Sequence, residues 1–557
     1  MKRPSQEIGI GPREAHSALG QITRREFIAA AAATVTSAVL PSADLMAEIS
    51  DSNSLASDRH RPRFHLMPPS LWLNDPNGPL HFKGRYHLFY QYAPQISNFA
   101  TKYWGHAVST DLVHWKNLGI ALAPSPGGSD KNGCWTGSAV VVNGVPTIVY
   151  TGGTWSAESE RAERAKGIVP ERQLVAIAAD PNDPDLIKWN KIPENPVLEA
   201  PPEGIKAVGW RDPCVWREGD TWYMTIGCGE VGKGGIALLY SSKDIKHWNY
   251  LHALAIAKPN PNQDTRRPFS SMWECPDFFF LKDKPFLLVA TGNRYLMGSY
   301  IDHRFEQQKE GRIDFGSAAY AQKTMEDEKG RRIWWAWLHE KRVAEAQVAA
   351  GWAGVMSLPK LLTVGNDGML GIEPVPELEV LRRHHNKISG RKIEANGPLL
   401  LEDIHSDCGE IEVEIDLGDA HQAGIRVRAA ADGSEQTLVG YDRDKQELFS
   451  DTTASSTDPA TASGLGFRRN RGIESGQLIL ARDEPLRLRV YIDASVIESF
   501  ANGRSSISDR VYPINASTLG IGLFSKGGTA RLRSMTVWQL APISGDRLTS
   551  GADLFKV

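Results

Sequence analysis

A recurring stretch of sequence constrains the fold of this chain more than any other feature. The stretches WGHAVSTDLVHWKNL, AIAADPNDPDLIKWNKI and ALLYSSKDIKHWNYL each run from an apolar strand through a Ser- and Asp-rich turn to Trp115, Trp189 or Trp248. They recur every 60 to 75 residues or so, which is the length of a four-stranded propeller blade with a generous loop. The repeat therefore favours a β-propeller of about five blades over the alternative of unrelated hairpins that share turn residues.

Short strands rich in aromatic and β-branched residues fill the chain from Arg61 onward. Examples are PLHFKGRYHLFYQY, GSAVVVNGVPTIVYTG and DFFFLKDKPFLLVATG, and Gly, Asn, Asp or Pro separates nearly every pair of strands. No long stretch in this half of the sequence shows a helical period with caps, so the pattern disfavours a fold of alternating helices and strands. This region is predicted to be all β.

The pattern changes near Val375. The stretch PVPELEVLRRHH suggests one or two helical turns, and strictly alternating strands such as GEIEVEIDLG and LRLRVYIDASVIESFANG then follow. Such alternation is typical of a two-sheet sandwich, in which one face of each strand is buried. We expect an all-β chain with a five-bladed β-propeller at 59–365, a linker at 366–384 and a C-terminal β-sandwich at 385–557. Three acids of the second domain are expected to be solvated or to lie between the domains: Asp493, Glu498 and Asp509.

The first residues resemble an export signal. Arg24 and Arg25 directly precede an apolar, Ala-rich run over 27–40, which is too short to span a membrane comfortably. The paired arginines resemble the bacterial twin-arginine signal, whose machinery exports folded proteins. We expect 1–58 to be this signal and a linker, with the twin-arginine machinery as a partner, no stable membrane span, and a periplasmic or extracellular location. The alternative is the amphiphilic start of a cytosolic helix.

Composition narrows the class of partner. A chain of 557 residues is long enough for two domains, and its net charge of -3 shows no basic excess for nucleic acid. Neutral small molecules or polymers are the partners that such a charge favours. The five cysteines include no C-x-x-C pair, so we expect neither a metal site nor a disulfide framework.

Three acidic residues stand in unusually constrained settings. Asp75 in LWLNDPNGP and Asp212 in VGWRDPCVW each precede a proline, and Glu274 in SSMWECPDFFF lies two residues before one. Because proline is excluded from central ladder positions, we expect these acids at strand starts or edges. The inner strands of different blades meet at the axis of a propeller, so the three acids are expected to converge there. The alternative for Asp75 is simple turn chemistry.

Two carboxyl groups in different environments are what glycoside cleavage requires. One attacks or stabilises the sugar, and the other donates a proton to the leaving oxygen. We expect Asp75 to stay ionised, Glu274 to be desolvated and to hold a proton, and the neighbouring Arg211 to keep Asp212 ionised. Tryptophans near the acids either pack the blades or offer flat faces to a sugar ring: Trp72, Trp210 and Trp273.

The motifs WLNDPNG, FYQY, WGHAVSTDLVHW, CWTGSA, RDP and WECPDF, in this order, resemble glycoside hydrolase family 32, the invertases, levanases and inulinases. The resemblance continues through GWAGVMSLPK and VYIDASVIESFANG, so it covers 61–540. It implies a five-bladed propeller with a β-sandwich. It also implies a retaining enzyme that cleaves terminal β-fructofuranosides such as sucrose, inulin or levan without a metal or other cofactor.

The resemblance also implies a role for each acid. Asp75 matches the nucleophile, Glu274 the general acid and base, and Asp212 the stabiliser that holds the fructose hydroxyls. The substrate-binding residues are then expected to be Trp72, Asn74, Gln91, Trp104, Trp135, Thr136 and Arg211.

Thr136 departs from the family pattern, because many members carry F-S-G-S where this chain has Trp135-Thr136-Gly137-Ser138. Its additional methyl group leaves the acceptor preference open. A fructosyltransferase that uses the same intermediate is therefore an alternative. A silent fructan-binding protein requires a damaged carboxylate, which the sequence does not show. An inverting, arabinan-type propeller enzyme is disfavoured by the WECPDF stretch.

Overall fold

The computed structural model of the chain describes residues 52–98, 100–154, 168–230, 233–258, 272–365, 367–395, 397, 400–459 and 472–555. The expected export signal, apart from its last residues, lies outside the described residues, as does part of the insert SDTTASSTDPATASGLGF. The described residues include two short α-helices, α1 (Ser52–Ser57) and α2 (Ala344–Ala350). They also include two 3₁₀ helices, Pro376–Leu381 and Ala552–Phe555.

Five antiparallel sheets follow one another along the first part of the chain and form the five blades of the expected β-propeller. Blade one contains β1 (Leu71–Phe82), β2 (Arg85–Ala93), β3 (Tyr103–Ser109) and β4 (Lys116–Leu122). Blade two contains β5 (Cys134–Val142), β6 (Val145–Gly153), β7 (Glu171–Ala178) and β8 (Trp189–Lys191). Blade three contains β9 (Ala207–Glu218), β10 (Thr221–Glu230), β11 (Gly234–Ser242) and β12 (Asn249–Ile256).

Blade four contains β13 (Asp277–Leu281), β14 (Lys284–Val289), β15 (Arg294–Ile301) and β16 (Arg304–Arg312). Blade five contains β17 (Ala319–Glu326), β18 (Arg332–Leu338), β21 (Lys360–Val364) and β22 (Leu370–Pro374). Two short strands lie between β18 and β21 in the chain, namely β19 (Trp352–Ala353) and β20 (Val355–Met356). Because β19 pairs in parallel with β1, the end of the propeller is joined to its first blade.

The sequence repeat corresponds to one structural element in blades one, two and three. In each, the tryptophan ring N–H donates to the carbonyl oxygen three residues earlier, at 2.8 to 2.9 Å. The residues that supply those carbonyls have left-handed backbone angles: Leu112 (φ 67°), Leu186 (φ 48°) and Ile245 (φ 64°). The element always lies at the junction of the third and fourth strands of its blade. The shared turn is therefore a true blade repeat, and the alternative of unrelated hairpins is wrong.

Two of the three acids lie inside strands rather than at strand starts, and at these positions the strands form sheet edges, which agrees with the expected edge placement. Asp75 lies inside β1, where the register against β2 shifts between Leu73 and Pro76. Asp212 lies inside β9, opposite a second register shift. A β-bulge leaves one residue out of the ladder, so a proline is tolerated and the side chain is turned toward the axis. Glu274 precedes β13, as expected.

The second domain is a sandwich of two antiparallel sheets. The larger sheet contains β23 (Arg382–Ser389), β24 (Lys392–Ile393), β25 (Cys408–Asp416), β30 (Leu486–Asp493), β31 (Val496–Ala501), β32 (Ser505–Arg510) and β34 (Ala530–Leu540). The smaller sheet contains β26 (Gln422–Ala429), β27 (Thr437–Asp442), β28 (Glu447–Asp451), β29 (Ile473–Gln477) and β33 (Gly520–Lys526). Alternate side chains from both sheets form one buried aliphatic core between them.

The fifth blade extends further than the sequence-based boundary at residue 365. Strand β22 belongs to that blade and pairs with β21 along its whole length, although it falls in the stretch assigned to the linker. The turn that joins the two strands contains Gly365, Asp367 and Gly368. The residues between β22 and β23 form one of the 3₁₀ helices, in agreement with the expected helical turn.

Buried charges join the two domains. Asp493 accepts hydrogen bonds from the backbone N–H groups of Arg63, Phe64 and His65, at 2.7 to 3.0 Å. Glu498 accepts one from the backbone N–H of Leu358 at 2.7 Å. These acids are therefore interdomain groups and are not solvated.

Candidate active site

The inner strands of the propeller bring the three acids together. Strand β1 contacts β5 and β17, and β9 contacts β5 and β13, so residues far apart in sequence meet at the axis. The Cys275 thiol lies 3.7 Å from Oδ2 of Asp75 and 3.6 Å from Oδ2 of Asp212. Glu274 is the residue next to this cysteine. The expected convergence of the three acids is what the structure contains.

Asp75 is held by a closed set of hydrogen bonds. Asn74 Nδ2 donates to Asp75 Oδ1 at 3.0 Å and to Gln91 Oε1 at 2.5 Å. Gln91 Nε2 donates to the Thr136 hydroxyl at 2.7 Å, and that hydroxyl donates to Asp75 Oδ2 at 2.6 Å. Trp72 Nε1 donates to Asn74 Oδ1 at 2.7 Å and fixes the orientation of the amide. Both carboxylate oxygens of Asp75 therefore accept hydrogen bonds, which favours the ionised form.

Two effects oppose one another at Asp75. Desolvation raises the pKa of the carboxyl group, and the donors from Thr136 and Asn74 counteract that rise. Lys102, which no sequence motif indicated, also favours the ionised form. Burial lowers the pKa of Lys102 itself to about 7, and its ammonium group lies 5.2 Å from the centre of the Trp72 ring. Burial prevails, so the pKa of Asp75 is raised overall, and the donors limit the size of the rise.

Asp212 is more deeply buried than the sequence suggested. Its backbone has a left-handed φ of 66°, and Oδ2 accepts a hydrogen bond from Cys275 N at 2.9 Å. Burial raises the pKa of Asp212 to about 7, although Arg211 opposes the rise. Arg211, whose Nε lies 3.9 Å from Oδ2, therefore offsets the effect of burial on Asp212 only in part.

Arg211 contacts Glu274 instead. Its Nη2 donates to Oε1 of Glu274, and Tyr320 donates its hydroxyl to the other oxygen, Oε2. The side chain of Glu274 is 28% exposed, so this acid is not the desolvated group that its neighbours in sequence suggested. A second carboxylate, Glu171, accepts a hydrogen bond from Arg211 Nη1 at 3.1 Å. Sequence reasoning missed Tyr320 and Glu171, because nothing near them in the chain marks an acid site.

Trp135, which directly precedes Thr136, is partly exposed. A Cβ atom at Gly133 or Gly153 would lie only 2.7 Å from its indole ring, so both positions need glycine for the ring to occupy this place. Trp104 is fully buried, and its Nε1 donates to the Trp135 carbonyl oxygen at 2.9 Å. Trp104 therefore supports Trp135 and does not offer a surface to a ligand.

The tryptophans near the acids pack the blades. All three are at least 95% buried, which leaves no open ring face for a sugar: Trp72, Trp210 and Trp273. Trp72 acts at the site through its ring N–H, which donates to Asn74 and orients its amide. Asn74, Gln91 and Thr136 are buried around Asp75, so these three expected residues and Arg211 are gathered at the site.

Comparison with known proteins places this site in a family. The model for the glycosyl hydrolases family 32 N-terminal domain matches residues 65–374, and the model for the family 32 C-terminal domain matches residues 377–539. The chain belongs to glycosyl hydrolase family 32. It is a glycosidase of the β-fructofuranosidase class, which hydrolyses fructosides.

Several relatives cover most of the chain. A sucrose-6-phosphate hydrolase of Escherichia coli is 33% identical over 86% of this chain and 94% of its own length. The fructan 1-exohydrolase w2 of Triticum aestivum is 30% identical over 88% of this chain and 89% of its own. The crystal structure of fructan 1-exohydrolase IIa from Cichorium intybus matches with a TM-score of 0.76 and 26% identity, over 87% of this chain and 98% of that one.

Proposed function

We propose that this enzyme removes terminal β-D-fructofuranosyl units from sucrose and from fructans of the inulin or levan type, with retention of configuration. The observation that carries the proposal is the closed set of donors at Asp75, together with Glu274, which precedes blade four and accepts hydrogen bonds from Arg211 and Tyr320. Such an arrangement supplies one ionised and one protonatable carboxyl group in different environments.

The first step forms a covalent fructosyl-enzyme. Asp75 attacks C2 of the fructosyl unit as the bond from C2 to the leaving oxygen breaks, and Glu274 gives that oxygen its proton. In the second step Glu274 takes a proton from water, the water oxygen bonds to C2, and the Asp75 carboxylate leaves. Asp212 binds fructose hydroxyls, and the Thr136 hydroxyl holds Asp75 in line.

Release of fructose from sucrose, inulin and levan tests the proposal, together with the variants D75N and E274Q. We expect both variants to lose about 10³-fold or more of the wild-type rate, since each removes a reacting group. The exposed ion-pair residue Glu194 provides a control, because E194Q leaves the site intact. A wild-type enzyme inactive on all three substrates would exclude the proposed function.

Reaction in the presence of methanol tests the stereochemistry. A covalent intermediate gives methyl β-D-fructofuranoside, whereas direct displacement gives the α-anomer. At high sucrose concentration, accumulation of trisaccharides would identify a fructosyltransferase that uses the same intermediate.

We also propose export of the folded enzyme through the twin-arginine pathway to the periplasm or beyond. The paired Arg24 and Arg25 before an Ala-rich apolar run support this destination. Among the described residues, no helix has the length and apolar character needed to cross a bilayer. Replacement of both arginines by lysine should retain the protein in the cytoplasm, which cell fractionation measures.

A further inference from the structure

One guanidinium group serves three acids. Arg211 directs Nη1 to Glu171, Nη2 to Glu274 and Nε toward Asp212, so each nitrogen faces a different carboxylate. The three acids belong to different blades or strands, because Glu171 is the first residue of β7 and Glu274 precedes β13. The positive charge of Arg211 is therefore divided and compensates each acid only in part.

Glu171 takes no part in the proposed reaction steps, yet it is fully buried. A buried carboxylate is costly unless it is paired and hydrogen-bonded. Its oxygen at 3.1 Å from Nη1 of Arg211 supplies such a pair. With Nη1 directed to Glu171, Arg211 contacts Glu274 through Nη2, and Tyr320 occupies the other oxygen of that acid.

We propose that Glu171 is a positioning residue for proton donation: it holds Arg211 and offsets its charge, so that Glu274 keeps a proton for the leaving oxygen. The inference rests on the proposed function and deepens it. Without Glu171, the guanidinium would direct more of its charge, and a second N–H group, to Glu274. The acid would then release its proton at lower pH and be a poorer donor at neutral pH.

The charged groups close to Glu274 influence whether this acid holds its proton. Asp75 and Asp212 are close enough to Glu274 for their charges to interact with it, and Arg211 is the cation that contacts it and is shared with Glu171. Tyr320 adds a neutral donor. Removal of one negative charge shifts the balance toward the ionised form of Glu274. The basic limb of the pH profile for kcat/KM should therefore move to lower pH.

The experiment compares full-length wild type, E171Q and E171D on sucrose and on 4-nitrophenyl β-D-fructofuranoside. For sucrose, we expect E171Q to move the basic limb of kcat/KM down by about one pH unit. E171D keeps the charge but shortens the reach, so its shift should be smaller. Nitrophenolate leaves without a proton, so both variants should stay within about twofold of wild type on the aryl substrate.

A matched control is available on the neighbouring strand. Glu230 is a mostly buried acid at the end of β10 that pairs with Lys233, and among the described contacts it has no hydrogen bond or ion pair to Arg211, so E230Q should leave the profile unchanged. An unmoved basic limb in any folded Glu171 variant would overturn the inference, as would an equal loss on both substrates. Wild type that hydrolyses no fructoside would overturn the proposed function and this inference together.

Discussion

At the scale of single residues, the direction of each hydrogen bond determines how the site holds Asp75. The sequence identified Asp75, Thr136 and Gln91, but it did not give the direction of the hydrogen bonds between them, which depends on the Gln91 amide on strand β2. Because the amide of Gln91 donates to the Thr136 oxygen, the Thr136 hydrogen is free to point at Asp75. The hydroxyl therefore acts as a donor to the nucleophile and not as an acceptor.

Replacement of Thr136 by valine tests that role. The T136V change preserves shape but removes the donor, so the pKa of Asp75, already raised by desolvation, should rise further. Because the nucleophile must be ionised, we expect the acidic limb of kcat/KM to move up by about one pH unit, since a hydrogen bond to a charged group contributes roughly 1.5 to 3 kcal/mol. T136S keeps the hydroxyl and should retain the wild-type limb. A T136V profile that matches wild type would contradict this role.

At the scale of elements, tight turns set the register of the blades. The turns after the first strands of blades one, two and four have positive φ at both central residues: Lys83 and Gly84, Asn143 and Gly144, Lys282 and Asp283. This is the hairpin geometry that matches the twist of paired strands. Since Asn and Gly are common in such turns, the sequence predicted the Asn143 turn more readily than the Lys282 turn, where tertiary pairing overrides local preference.

Exchange of residues in these turns should change stability in opposite directions. Gly84 has φ 73° and open space around its Cα atom, so G84A adds only backbone strain, about 1 kcal/mol. Asp283 is exposed with φ 62°, so D283G should relieve strain and stabilise by about 0.5 kcal/mol. Melting temperatures should therefore fall by about 2 °C for G84A and rise by about 1 °C for D283G. A stabilised G84A would exclude this explanation.

At the scale of the whole molecule, buried charges fasten the sandwich to the propeller. Lys360 of blade five is fully buried and lies 3.0 Å from Asp314 and 2.7 Å from Glu498 of the sandwich. Burial opposes ionisation of Glu498, yet Lys360 and His65 lower its pKa to about 2. The folded pKa lies below the unfolded value, so this acid stabilises the native state above about pH 4.5.

This stabilisation, on the order of 3 kcal/mol, is therefore expected to disappear as the pH falls from about 4.5 to 2. The E498Q change removes one of the two negative charges that pair with Lys360. The melting temperature of this variant should therefore be several degrees below that of wild type at pH 7. The difference in melting temperature between wild type and E498Q, measured by thermal unfolding, should become smaller as the pH approaches 2.5. E306Q, at an exposed position of β16, is the control. A difference that stays constant with pH would exclude the role of Glu498.

The sequence by itself determined the all-β class, the blade repeat at Trp115, Trp189 and Trp248, and the identity of the three acids. Each of these follows from local rules, namely period-two alternation, turn chemistry and residue order in motifs, which need no knowledge of distant contacts.

Only the tertiary structure decided how the acids are charged and held. Arg211 follows Trp210 and precedes Asp212 in the chain, yet it pairs with Glu274 and Glu171 from other blades. Desolvation and charge pairing depend on which atoms closure of the propeller brings within a few ångströms, and neighbours in sequence do not specify them. For the same reason the bulge that places Asp75 inside β1, and the role of Lys102, became evident only in the folded chain.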